Sequence, residues 1–203
     1  TISDLFDSAD GLRIEMVCAT PGVIRLYRHS TLTQAFLEPI PYYGSLLEAA
    51  CVADIDGDGR KDVKFAWFAG GSGLASSIMK VVYLFQHEPG FFTKVSYYTF
   101  YSDATRIERD FDGDGRYEII TNDVTNFEGH NYWTFNVYNF NVNKLVNVND
   151  RFDFPVMVQL LNRENFTPTT QISRQQRKKF SADHPSDLDI QRENAVLERK
   201  FEK

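Results

Sequence analysis

The sequence predicts an all-β protein of about three four-stranded, propeller-blade-like repeats with a period near 56 residues, followed by a polar, partly helical C-terminal arm. Three observations carry this expectation. The stretch Asp54-Ile-Asp-Gly-Asp-Gly-Arg-Lys-Asp62 returns as Asp110-Phe-Asp-Gly-Asp-Gly-Arg-Tyr-Glu118, an offset of 56. Downstream, Lys80-Val-Val-Tyr-Leu-Phe85 resembles Phe135-Asn-Val-Tyr-Asn-Phe140, and Val23-Ile-Arg-Leu-Tyr27 places Tyr27 a further 56 residues before Tyr83. Aromatic residues make up 14% of the chain, with 17 Phe and 10 Tyr against 3 Met, a balance that favours strands over helical bundles.

The elements follow in order. In the first unit, Arg13–Val17 and Val23–Tyr27 read as strands, while Asp7, Asp10 and Gly11 form a degenerate copy of the acidic motif with its spacing broken. The middle unit is the clearest. Glu48–Ala53 leads into the acidic loop, Val63–Phe68 leaves it, Met79–Gln86 follows, and Glu88-Pro89-Gly90 turns the chain into Phe91–Tyr98. The third unit gives Thr105–Arg109, Tyr117–Thr121, Tyr132–Phe140 and Lys144–Val148, with Asn122–Asn131 as a connecting loop. Three such units reach only about residue 158, short of the roughly four to eight blades that close a ring. Part of a ring, a ring completed by association, and a non-propeller β fold therefore all stay open.

Residues 1–158 form the repeat domain and 159–203 the arm. The arm carries nine Lys/Arg against seven Asp/Glu, whereas residues 1–158 carry 13 against 21. Ser186 and Asp189 have capping-box spacing, so a helix from Leu188 would gather Ile190, Leu197 and Phe201 on one side; a solvated tail is the alternative.

Composition excludes several classes of function. The net charge of −6 argues against a nucleic-acid binder, and no apolar run approaches the length of a membrane span. Four scattered histidines offer no H-x-H or H-E-x-x-H pattern. Cys18 and Cys51 show no C-x-x-C; two buried thiols are the expectation, and one disulfide, needing an oxidising compartment, is the alternative. No nucleophile signature and no recognisable carboxylate pair is present, so an enzyme is not expected. The start at Thr1 suits a mature exported protein whose leader is gone, or a trimmed chain.

The acidic loops are the strong chemical signal. Calcium takes six to eight oxygen ligands, and alternate carboxylates on a tightly turning, glycine-permitted backbone supply them. Asp54, Asp56, Asp58, the Arg60 carbonyl and Asp62 form one candidate set; Asp110, Asp112, Asp114, the Arg116 carbonyl and Glu118 form the other. An EF-hand would need Glu at loop position 12, where Phe65 and Thr121 stand, and strands rather than helices flank both loops. The pattern D-x-D-G-D-G-x-x-[DE] between strands resembles the loop of FG-GAP and VCBS repeats, found in integrin-type propellers and many exported proteins. That resemblance implies two structural calcium ions, a propeller-like repeat, and recognition or adhesion outside the cytoplasm, in the periplasm or secreted. A periplasmic inhibitor or immunity protein that blocks a cell-wall hydrolase through its rim loops is the alternative.

The rim opposite the acidic loops is the expected partner site. Ala69-Gly-Gly-Ser-Gly-Leu-Ala-Ser76 lacks the Lys-Ser/Thr ending of a phosphate loop and reads as a connection between strands. Trp67, Gly71, Ser72, Phe127, His130 and Trp133 are the candidate contacts for a protein partner, a second copy of the chain, or a glycan.

Overall fold

In the computed structural model, residues 2–7, 11–17, 22–38, 47–68, 73–100, 107–141, 144–160 and 172–185 are described. They form three antiparallel sheets. The first is a meander of β1 (Ile2–Asp7), β2 (Leu12–Val17), β3 (Gly22–Arg28) and β4 (Thr31–Glu38). The second is a meander of β5 (Leu47–Ala53), β6 (Asp62–Phe68), β7 (Met79–Glu88) and β8 (Phe91–Thr99). The third runs β9 (Glu108–Arg109), β10 (Glu118–Phe127), β11 (His130–Asn141) and β12 (Lys144–Asn147), with β13 (Val156–Gln159) also on β11. None of the three strand orders closes into a barrel.

Period-two alternation sets the layering. In β2 and β3 buried residues alternate with partly exposed ones, so the first sheet offers one apolar face. Leu12, Ile14, Met16, Ile24 and Leu26 pack there against Val63, Phe65, Trp67, Val82, Leu84 and Phe92 of the second sheet. The opposite face of the second sheet presents Ala66, Val81, Tyr83, Phe85 and Tyr97 to Ile119, Tyr138 and Leu145 of the third. The second sheet is thus the middle layer of a stack. This is why β6 is buried from Asp62 through Trp67 and β7 from Met79 through Phe85, on both faces and not on alternate positions.

Each layer boundary also holds a buried ion pair. Lys80 and Lys94 of the second sheet approach Glu38 of the first at 3.2 and 2.8 Å, with all three side chains at most 4% exposed. Lys64 of the second sheet meets Glu108 of the third at 2.7 Å, and the Tyr83 hydroxyl donates to the same carboxylate.

Several local expectations are revised. Asn122–Asn131 is not a loop: β10 continues through Phe127 and reverses in a two-residue turn at Glu128 and Gly129, whose φ values are 51° and 79°. Unbroken pairing from Asn122↔Phe135 to Phe127↔His130 outweighs the turn preference of the local Asn and Asp residues. β12 and β13 are two parts of one edge along β11, interrupted by an excursion over Val148–Pro155. A short helix, α1 (Arg174–Arg177), occupies a stretch whose sequence shows no periodicity; Ser173 and Gln176 close a capping box on it. Cys51 is free and exposed rather than buried. Cys18, the first two residues of Thr105–Arg109 and the Leu188 helix lie outside the described residues, and the rest of Thr105–Arg109 contributes only the short strand β9. No helix among the described residues is long and apolar enough to cross a membrane.

Candidate metal centre

Both acidic loops join the first strand of a sheet to the second, β5 to β6 and β9 to β10, and so emerge at the same end of the stack. Their backbones are organised by the same side chains. Asp54 Oδ2 accepts from the Gly59 amide at 2.9 Å, and Asp110 Oδ2 from the Gly115 amide at 3.1 Å. Asp58 Oδ1 accepts from Arg60 N at 2.8 Å, as Asp114 Oδ1 does from Arg116 N at 2.8 Å. The closing acids behave alike: Asp62 Oδ2 takes the Ile55 amide at 2.8 Å and Glu118 Oε2 takes the Phe111 amide at 2.9 Å. Three hydrogen bonds therefore repeat at the 56-residue offset.

The loops also touch. Tyr117 N donates to the Ile55 carbonyl at 3.0 Å. Gly57 has φ +71°, and a Cβ there would lie 2.7 Å from Arg116 Cγ and 3.2 Å from the Gly115 carbonyl oxygen. Glycine at this position answers to both the left-handed backbone and the neighbouring loop.

Carboxylate oxygens converge in each loop. One oxygen each from Asp54, Asp56 and Asp58 lie within 4.8 Å of one another, and so do oxygens from Asp110, Asp112 and Glu118. Two oxygens bound to a common calcium at about 2.4 Å are separated by no more than about 4.8 Å, so both sets have compatible spacing. An all-oxygen, multiply charged donor set suits a hard cation and not zinc or copper. Burial and then the neighbouring Asp58 push the Asp56 carboxyl above its usual range, while Arg116 pulls it down. Repulsion of this kind is what a bound cation relieves.

Not every candidate ligand joins its cluster. Asp62 is fully buried and spends both oxygens on amides, of Ile55 and, at 2.9 Å, Gln86. Burial, countered in part by those two donors, pushes its carboxyl up to about 6. Asp114 is outside the second trio, where the longer Glu118 reaches in. The Arg60 side chain pairs its guanidinium with Asp58, which leaves its backbone carbonyl, the group expected as a ligand, uninvolved in that contact. The degenerate motif of the first unit falls partly at residues 8–10, outside the described residues.

A positive group that the motif gives no sign of sits in the second loop. Arg151, from the excursion after β12, places a guanidinium nitrogen 2.6 Å from Asp112 Oδ2. Phe111 in the same loop packs on Phe152 and Phe154, with ring centroids 5.2 and 5.9 Å apart. These contacts span about 40 residues of sequence, and no local pattern announces them.

At the opposite end, the rim candidates separate. Trp67 is 4% exposed, packed between the first and second sheets. Phe127 is enclosed by Tyr132 and Phe180, edge to face at 6.4 and 5.6 Å. His130 is exposed and within 3.2 Å of the Gln159 amide. Trp133 is half-buried against Phe100, 5.7 Å between centroids, and its cross-strand neighbour Val158 is 38% exposed. Gly71 and Ser72 lie outside the described residues. Comparison with protein-family models and with curated proteins finds no match to either.

Proposed function

We propose that this chain is a calcium-stabilised recognition module of the FG-GAP/VCBS type, acting outside the cytoplasm, with one calcium ion in each acidic loop. The observation that carries this reading is the duplicated loop itself. Two nine-residue segments converge three carboxylates apiece and share their internal hydrogen bonds at a fixed offset. Asp54, Asp56 and Asp58 would hold one ion, and Asp110, Asp112 and Glu118 the other. When bound, calcium supplies charge neutralisation and a rigid loop; it is not assigned a reaction. The sheets behave as successive blades of an incomplete propeller, and the partner surface is the rim around His130 and Trp133, with Val158 beside it.

Titration calorimetry on chelator-treated protein tests the metal assignment. The expected result is about two calcium sites per chain, with magnesium weaker because it holds its waters and prefers fewer carboxylates. Absence of calcium heat, or a preference for magnesium, would reject it.

A further inference from the structure

We infer that Arg151 is a resident counter-cation of the second acidic loop, and that a divalent cation entering this loop competes with its guanidinium for Asp112. The inference rests on the calcium reading of the loops and adds a residue that the repeated motif does not contain. Its basis is the way Arg151 is delivered. The excursion that carries it is anchored by Asn149, which is 2% exposed and accepts from Val137 N at 2.8 Å while donating to Asn136 Oδ1 at 2.8 Å. Beyond Arg151, Phe152 and Phe154 pack on Phe111. The acids on either side of Arg151 are engaged elsewhere, Asp150 with Lys178 at 2.6 Å and Asp153 with Arg174 and Arg177 at 3.2 Å. The guanidinium is thus held over the loop from both sides.

It also reaches a second ligand indirectly. With the Asn139 amide oriented to satisfy both of its ends, its nitrogen donates to Glu118 Oε1 at 3.1 Å and its oxygen accepts from Arg151 at 3.3 Å. Two of the three converging carboxylates, Asp112 and Glu118, are therefore tied to one positive group. In the first loop, Arg60 pairs with Asp58 from within the loop, and Arg116 of the neighbouring loop acts on Asp56 only at longer range; among the described residues no ion pair to Asp54 is seen. A fixed positive charge beside a divalent site lowers affinity by direct repulsion and by occupying a ligand oxygen, while stabilising the metal-free loop.

The test isolates the second loop. In full-length protein carrying Asp56→Ala to disable the first site, calcium affinity is measured by calorimetry with Arg151, Arg151→Gln and Arg151→Lys. Arg151→Gln should tighten binding by about threefold to tenfold, the range expected for removing one partly screened charge a few ångströms away. Arg151→Lys keeps the charge and should stay near the parent. In chelator, Arg151→Gln should also melt below the parent, because the carboxylates lose their counter-charge. Unchanged or weakened calcium binding in Arg151→Gln overturns the inference, since Arg151 would then be neutral to the metal or would order its site. Loss of calcium binding in every variant and in the unmodified protein rejects the underlying calcium reading instead.

Discussion

Asp54 and Asp110 each do two things at once: they organise the turn by accepting amides and they offer oxygen to the cluster. Asp110 accepts from Gly113 at 2.7 Å and Gly115 at 3.1 Å, both in exposed backbone that water can satisfy. Asp110→Ala should therefore cost the metal-free protein only about 1 kcal/mol, the net worth of ordinary hydrogen bonds. The same substitution should lower the calcium stoichiometry from about two to about one. A melt in chelator and a titration on the same sample separate these effects, and a stoichiometry that stays at two rejects Asp110 as a ligand. The glycines give a paired test of loop contact. Gly113 has φ +76° and open space around it, whereas Gly57 has φ +71° and Arg116 in the way. Gly113→Ala should cost about 1–2 kcal/mol for the left-handed backbone alone. Gly57→Ala should cost more, with part of the excess recovered when Arg116 is also replaced by Ala. Equal costs at the two glycines, measured by denaturant unfolding, would mean that the loops do not press on one another.

Between elements, the buried charges at the layer boundaries make the sharpest demand. Glu38 ends β4, is fully buried, and faces Lys80 and Lys94 of the next sheet, with the Lys80 ammonium also 4.2 Å from the Tyr98 ring centre. Glu38→Gln removes the carboxylate and leaves two buried ammonium groups without their counter-charge, a change that costs about 3–5 kcal/mol in comparable settings. Glu15→Gln breaks the more exposed pair with Arg25, at 3.6 Å, and should cost no more than about 1 kcal/mol. Similar values for the two substitutions in urea unfolding would show that the boundary is held by apolar packing alone. The same elements explain what the sequence made legible. Alternation in Arg13–Val17 and the largely apolar Val63–Phe68, interrupted only by Lys64, mark strands that the structure keeps nearly to the residue. Asn122–Asn131 misleads because its Asn, Thr and Asp residues favour turns locally, while cross-strand partners such as Thr125 and Thr134, hydroxyls 2.5 Å apart, hold it in a sheet. Trp67 beside a glycine-rich connection suggests a surface anchor; only the stacking of a second sheet on β6 determines that it is core. The acidic loops are readable because each is contiguous in sequence. Arg151 is not, because its place depends on where the excursion folds back.

For the whole molecule, the calcium reading makes stability a function of metal concentration. The stack is sealed by two apolar clusters, one on each face of the second sheet, and both acidic loops project from one end of it. Tyr117 and Ile55 join the loops across the second and third sheets, so ordering either loop braces that boundary as well as its own strands. A cation that binds the folded loops and not the unfolded chain stabilises by RT ln(1 + [L]/Kd), about 2.7 kcal/mol per site at a hundredfold excess over Kd. Two sites would supply about 5 kcal/mol, comparable to the total stability of a marginal domain. At this chain length each kcal/mol moves the melting temperature by about 2–4 °C, so calcium should raise it by about 10–20 °C over chelator-treated protein. The rise should continue with calcium concentration as the logarithm demands, and should be roughly halved in Asp110→Ala, which retains the first loop. A magnesium control at equal ionic strength separates specific binding from screening of a chain whose net charge is −6. If chelator leaves the melt unmoved while abolishing capture of a partner at the rim, calcium belongs to recognition and not to the stability of the stack.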